Sequence, residues 1–396
     1  MLNCFYWYTG IWAFILFLYS FKISEFNKPL NFGLLMFIVI TSLISLVLGI
    51  IFRKRFEYKN VDVPKYSVKN ILVIVFGYLL EFNYAKSIPF ISIAIFKHAK
   101  YGDFHEIPIF HVFLVAYSLY YAIKCISYVV CDKKQRFKYS FDYIVIMFLY
   151  FLCYYRSMII IPSFAGLIIA LAYLKKNKKI KFIHILISLI LVLTGCYCYG
   201  AIGNVRDGYK WNDNSHIERL GMYTNFPKFI PKQFMWTYSY LTTPLANLNY
   251  NVELNNNMNR FDGAVSELLP FAISKRIFDN KLFEKEPKIL RTYFNAVTGW
   301  CNMYMYYGII GMYMLFAYMI LLTVDMLMLR KRNVEVNKNK RNYTSAILCV
   351  VYVFMFFYNT LSYVGIALAF WMCFASLLFT NRKNTKKLKE EIKNES

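Results

Sequence analysis

Apolar residues in this chain come in long runs, and the runs have the length of a membrane crossing. Residues 32–52 contain no charged side chain at all. A run of about 18 to 22 apolar residues spans a hydrocarbon core of roughly 30 Å as a helix. On this pattern ten helical spans are predicted: residues 5–19, 32–52, 68–82, 108–130, 141–155, 157–174, 182–200, 303–329, 344–358 and 363–380. The stretch 141–174 is too long for one crossing, and Pro162 offers a break within it. Residues 201–300 are the one long polar interruption. Within them, Ser215-His216-Ile217-Glu218 reads as a capping box that starts a short helix near His216. Residues 267–278 alternate apolar positions with a basic edge, as an amphipathic helix lying in an interface would. Residues 247–260 are rich in asparagine and read as irregular surface.

The predicted class is therefore an all-α polytopic integral membrane protein. Residues 1–200 carry spans one to seven, 201–300 form one large extracytoplasmic loop, and 301–396 carry spans eight to ten and a basic tail. Orientation follows from the short loops, because Lys and Arg are retained on the cytoplasmic side. Basic clusters stand at Arg53 to Lys59, Lys133 to Lys138, Lys175 to Lys181, Arg330 to Arg341 and Arg382 to Lys393. They hold more than half of the 46 basic residues. All five fall on one side of a ten-span topology, which puts both termini inside and the long loop outside.

Composition changes this picture little. The chain has 396 residues, 58% hydrophobic, 20% aromatic and 17% charged, too apolar for a soluble domain. Its net charge of +24 would suggest nucleic acid in a soluble protein. Here the excess is sorted by span ends, so it reads as topology with some attraction to anionic lipid, and no nucleic-acid partner is expected. Nine cysteines are scattered, mostly inside apolar runs, with no disulfide framework and no metal-ligand spacing. Residues 1–10 lack the basic region of a signal peptide, so the first run is expected to stay.

Phosphate-loop, dinucleotide, HExxH and GxSxG patterns are absent, and no cofactor or metal is expected. The candidates for chemistry are arginines, one histidine and aromatics. Arg156 stands at the tip of the fifth and sixth spans, and Arg206 directly follows the seventh. Each is either a side chain snorkelling to headgroups or a ligand for a diphosphate, whose oxygens a guanidinium matches bidentately. His216 is either a solvated helix-start residue or a general base, since an unperturbed imidazole titrates near neutrality. Arg219 shares a helix face with His216. Arg260 and Arg291 complete the basic set of the loop. Glu218 reads as a capping residue, and Asp207 and Asp213 as surface. Tyr209, Trp211, Trp236, Tyr238 and Tyr240 read as an interfacial aromatic belt or as platforms for sugar rings. His111 and His184 lie near span ends with no evident partner.

The series Tyr155-Arg156-Ser157, Lys175-Lys176-Asn177-Lys178-Lys179 and Gly203-Asn204-Val205-Arg206, set in about ten spans, resembles the O-antigen and capsule repeat-unit polymerases of the Wzy type. The run Tyr240-Leu-Thr-Thr-Pro-Leu-Ala-Asn and Tyr306-Tyr307-Gly308-Ile-Ile-Gly311 are similar to segments of that family. Arg206 lacks a glycine at the family's spacing. The resemblance implies an enzyme of the bacterial cytoplasmic membrane that acts at its outer face. It would transfer a growing glycan from undecaprenyl diphosphate onto a newly arrived lipid-linked repeat unit. Its partners would be undecaprenyl-diphosphate-linked oligosaccharides and membrane lipids, with a flippase and a chain-length regulator alongside. Arg156, Arg206 and His216 would be catalytic; Arg219, Arg291, Arg260, Tyr209 and Trp211 would hold substrate. O-antigen ligases share this layout. A lipid-linked oligosaccharide flippase is the rival from another class, opposed by spans nearly free of charge. A membrane acyltransferase would want histidine and arginine in the cytoplasmic half.

Overall fold

The structure is a computed structural model that describes residues 1–60, 63–96, 104–332, 340–363 and 365–379, without the side chains of Ala94, Arg156 and Arg332. It is about 70% helical. Among the described residues the β-structure is one bridge, Ser24 with Tyr223. The helices are α1 (Cys4–Ser20), α2 (Phe32–Ile51), α3 (Lys69–Ala85), α4 (Phe110–Cys131), α5 (Arg136–Leu152), α6 (Arg156–Lys176), α7 (Phe182–Arg206), α8 (Ser215–Leu220), α9 (Phe234–Glu253), α10 (Phe261–Ser266), α11 (Phe271–Ile277), α12 (Cys301–Arg332), α13 (Arg341–Val353) and α14 (Gly365–Phe379). A helix overlaps each of the ten predicted stretches. Among the described residues five are long and apolar enough to cross a membrane: Phe32–Ile51, Phe110–Cys131, Ser157–Lys176, Phe182–Arg206 and Cys301–Lys331. The fold is thus that of an all-α protein with membrane-length apolar helices. The basic cluster at 382–393 and part of the one at 330–341 lie outside the described residues.

Local chemistry sets the ends. Asn3 caps α1 by accepting from the Phe5 N–H, and Asn31 caps α2 by accepting from Gly33 and Leu34. The turn between α5 and α6 is not at Pro162. It is made by Tyr154 at φ 61°, and Pro162 sits inside α6. Pro162 is the seventh residue of α6, past the first turn, so the helix runs on there without the bond its N–H would have made to the Met158 carbonyl.

The core has two linked halves. In one, α1 packs on α2, α9 and α13, and α12 closes on α2 and α9. Its centre is aromatic: Tyr8 lies 6.2 Å from Trp300, Phe37 5.1 Å from Trp300, and Phe5 5.4 Å from Tyr352. In the other, α4 packs on α3, α5 and α6, and α13 joins the halves through α4 and α6. α7 stands apart. Its main neighbour is α9, and only 6% of its apolar window is buried.

The segment between α7 and α12 departs from expectation most. Residues 247–253 are not irregular surface: they finish α9, and Asn247, Asn249 and Asn251 are buried. The Asn247 amide donates to the carbonyls of Phe294 and Ala296 and accepts from Leu290 N–H. Asn249 donates to Pro29 and accepts from Asn31 N–H. Asn251 donates to Lys288 and accepts from its N–H. Each side-chain amide supplies both bond types to passing backbone, which lets chain without secondary structure be buried. The expected amphipathic helix at 267–278 is the short α11. α12 breaks at Tyr307 and at Gly308, where φ is 60° and ψ is −155°. The carbonyls of Met305 and Tyr306 accept there from the N–H groups of Met258 and Arg260.

Candidate functional site

The last turn of α7 carries the site, and two glycines bring α9 close enough to complete it. A Cβ on Gly200 would lie 2.1 Å from the Gln233 carbonyl oxygen, and one on Gly203 would lie 2.9 Å from the Trp236 ring. With no side chain there, Asn204 is buried against Trp236 and accepts its indole N–H at 2.7 Å. The same amide donates to the Trp211 carbonyl and to Asn214, which ties down the turn leading into α8.

Arg206 follows on this framework. Its guanidinium lies over Trp236 and Tyr293, 5.7 and 5.9 Å from the ring centres. Nε donates to Asp207 Oδ1 at 3.1 Å, and Nη2 donates to the Tyr293 hydroxyl at 2.8 Å. Tyr293 in turn donates to Asp207 Oδ2. Burial pushes the Tyr293 phenol well above its usual range, and the bond to Asp207 adds to this, so it stays a donor. His216 Nε2 lies 3.7 Å from Asp207 Oδ2, an electrostatic pairing longer than a hydrogen bond. The imidazole stacks on Tyr209 at 4.8 Å and meets the edge of Tyr293 at 5.5 Å. The side chains of Arg206, Asp207 and His216 are 13%, 11% and 23% exposed, so the group is desolvated yet open at His216. A recess lined by Tyr240, Tyr293, Phe294 and Phe357 adjoins it. A fixed cation, a carboxylate and an imidazole in mutual contact can hold an anion and move a proton beside it.

Of the expected residues, Arg206, His216, Tyr209 and Trp236 meet here. Arg219, Arg291, Arg260 and Trp211 do not join them. Arg219 lies on α8, exposed, and bonds back to the Ser215 carbonyl. Arg291 is exposed and rests on the Met222 sulfur. Arg260 forms a two-pronged pair with Asp262 near the start of α12, and that bond draws the Asp262 carboxyl down to about 2. Trp211 is exposed, and its carbonyl is what the fold uses. Arg156 opens α6, and its side chain lies outside the described part of the structure.

Other readings change. Asp207 is no plain surface residue; it joins Arg206, Tyr293 and His216. Trp236 and Tyr238 are buried rather than part of a belt. Glu218 pairs with Lys232 instead of capping α8. Tyr293, 87 positions from Arg206, carried no sequence signal.

A second polar cluster gives His111 the partners it lacked. Its Nδ1 lies 2.6 Å from Glu81 and its Nε2 3.5 Å from Glu106, to which Tyr155 also donates. Glu81 is fully buried, with Oε1 unbonded. Asp142, also buried, accepts from Tyr66 and Tyr121. The predicted spans therefore contain buried acids. A third carboxyl, Glu267, is buried beside Asn302 and Asn359, which both donate to it. Comparison of the chain with protein-family models, with curated proteins and with solved structures found no match in any of the three.

Proposed function

We propose that this protein polymerises undecaprenyl-diphosphate-linked oligosaccharide repeat units into a surface polysaccharide at the outer face of a bacterial cytoplasmic membrane. Ten crossings, cytoplasmic termini and an outer segment at 201–300 belong to the same reading. The observation that carries it is the contact group of Arg206, Asp207, Tyr293 and His216 at the end of a 25-residue apolar helix. The donor is already activated by its lipid diphosphate. The protein's work is to hold an anion at headgroup depth, stabilise the charge that develops on it, and take a proton from a sugar hydroxyl. Arg206, oriented by Asp207 and Tyr293, suits the first two tasks, with Arg156 as the second cation. His216 suits the third, with Asp207 stabilising the imidazolium that results.

The test compares polymer chain length with membrane abundance for Arg206→Ala, Arg206→Lys, Arg156→Ala and Arg156→Lys. Losing a phosphate contact that strengthens in the transition state costs about 3 kcal/mol, roughly a hundredfold in rate. Lysine is expected not to rescue either position, because it lacks the fork. Full-length polymer from the lysine variants at normal abundance would reduce both arginines to interfacial anchors. The second reading is transport of the same lipid-linked units, and the buried Glu81–His111 pair favours it. In a deletion strain, single units on the outer face support polymerisation and units trapped on the inner face support transport. Polymer left on its lipid carrier supports ligation.

A further inference from the structure

The far end of α12 holds a buried arginine that meets no opposite charge among the described residues. Arg330 lies 22 residues past the break at Gly308, roughly 33 Å by helical rise, at the end of the bundle away from Arg206. It is 8% exposed. Its Nη1 donates to the Arg341 carbonyl at 3.1 Å, to Thr344 Oγ1 at 3.4 Å and to Ser345 Oγ at 2.6 Å. Its guanidinium lies 5.7 Å from the Phe56 ring centre. Its Nη2 is buried and bonds to nothing. Arg341, which donates to the Lys54 carbonyl, has a buried Nε in the same condition.

The neighbours make this worse rather than better. Arg341 and Arg55 act on Arg330 as like charges, and among the described residues the thiols of Cys4 and Cys349 are the other ionisable groups that act on it. Glu57 acts on Arg341 but is exposed. Among the described residues no carboxylate lies within ion-pair distance of either arginine. A buried cation is retained when an anion or a set of acceptors answers it, and carbonyls and hydroxyls answer only one arm of this one. Two unbonded donor nitrogens, one from each guanidinium, ask for an acceptor with several oxygens and negative charge.

We infer that Arg330 and Arg341 hold a phosphate group at the end of the bundle opposite Arg206. The approach is cationic throughout: exposed Lys54 and Arg55, half-buried Arg341, then buried Arg330. Phosphate oxygens match guanidinium N–H groups in charge and direction, and one phosphate bridges two arginines without a protein carboxylate. The phosphate belongs either to the headgroup of an anionic lipid or to free phosphate.

Thermal unfolding of the delipidated full-length protein in a neutral detergent separates these. Phosphatidylglycerol, phosphatidylcholine and inorganic phosphate are added in turn to the unmodified chain, Arg341→Gln, Arg330→Lys and Arg206→Ala. Phosphatidylglycerol is expected to raise the midpoint and phosphatidylcholine not to. In Arg341→Gln the apparent affinity falls about tenfold, the worth of one charge-assisted bond. Arg330→Lys, which keeps the charge and loses the fork, falls likewise. Arg206→Ala, which removes the other anion candidate, keeps the full effect. A rise with inorganic phosphate that phosphatidylglycerol does not exceed assigns the site to free phosphate. Should Arg330→Lys fail to fold, the half-exposed Arg341→Gln decides alone. An equal response in Arg341→Gln and the unmodified chain, no response to either phosphate, or a response lost only in Arg206→Ala overturns the assignment.

Discussion

A carboxylate next to an arginine in sequence usually means two solvated neighbours. Asp207 differs because Tyr293 and His216 reach it from elsewhere in the chain. Asp207→Asn keeps the shape and removes the charge that Arg206 and His216 both face. Bonds to charged groups are worth about 1.5 to 3 kcal/mol, so polymer output per unit of membrane protein should drop roughly ten- to hundredfold. Tyr293→Phe should cost less, since Asp207 and its charge remain; the same chain-length assay ranks the two. Glu267 makes a separate prediction. Burial raises its carboxyl above the ordinary value, opposed by the amides of Asn359 and Asn302. The folded chain thus holds this proton more tightly than the unfolded one. That stability is present below the ordinary carboxylate value and is lost as pH rises through the raised one. Glu267→Gln should flatten the fall in unfolding midpoint across that window. Parallel curves for the two proteins would show that Glu267 is ionised throughout. Arg206, His216 and Tyr209 were legible because cations, an imidazole and aromatics stand out against apolar surroundings. Tyr293 was not, because a tyrosine among 35 carries no mark of the contact it makes 87 positions away.

Among elements, the membrane-length helices were legible and α9 was not. Apolar runs announce helices α1 to α7 directly. The asparagines of α9 carry the composition of a loop, although here they bond buried backbone on both sides. Asn247→Ala strands two carbonyls and one N–H, which should cost about 2 to 3 kcal/mol. A lowered unfolding midpoint and faster proteolysis near Leu290 are the readouts. Asn212→Ala, at an exposed position, is the control and should leave both unchanged. Position of the α5–α6 turn shows the complementary error. Pro162 was the visible breaker, yet the turn depends on a left-handed tyrosine that no propensity rule singles out.

For the whole molecule, the ten-span topology rests on basic clusters and remains a prediction with a direct test. A reporter fused after Lys178 should be active only in the cytoplasm, and one after Asn255 only outside. Activity of both in one compartment would remove the outer position of residues 201–300, and with it the proposed reaction. The sequence could not show which of its polar residues converge, because convergence depends on how α9 lies against α7 and α12. It could not show buried acids such as Glu81 and Asp142 as partnered either. Single charges inside apolar runs look the same whether they meet a histidine, two tyrosines or lipid.

The break in α12 ties this architecture together in another way. In an unbroken helix the Met305 and Tyr306 carbonyls would accept from Ile309 and Ile310, four residues on. Here they accept from Met258 and Arg260 instead. The helix and the passing chain thus compete for the same two acceptors, and α12 cannot straighten without evicting residues 258–260. Gly308 decides the contest, since φ 60° with ψ −155° is a conformation nearly confined to glycine. Gly308→Ala should tip it toward the straight helix, at a cost of order 1 to 3 kcal/mol to the docked form. Cleavage by protease at the exposed Asn255 or Asn259 would then quicken while helix content holds steady. An unchanged cleavage rate would mean that the segment is clasped from some other side.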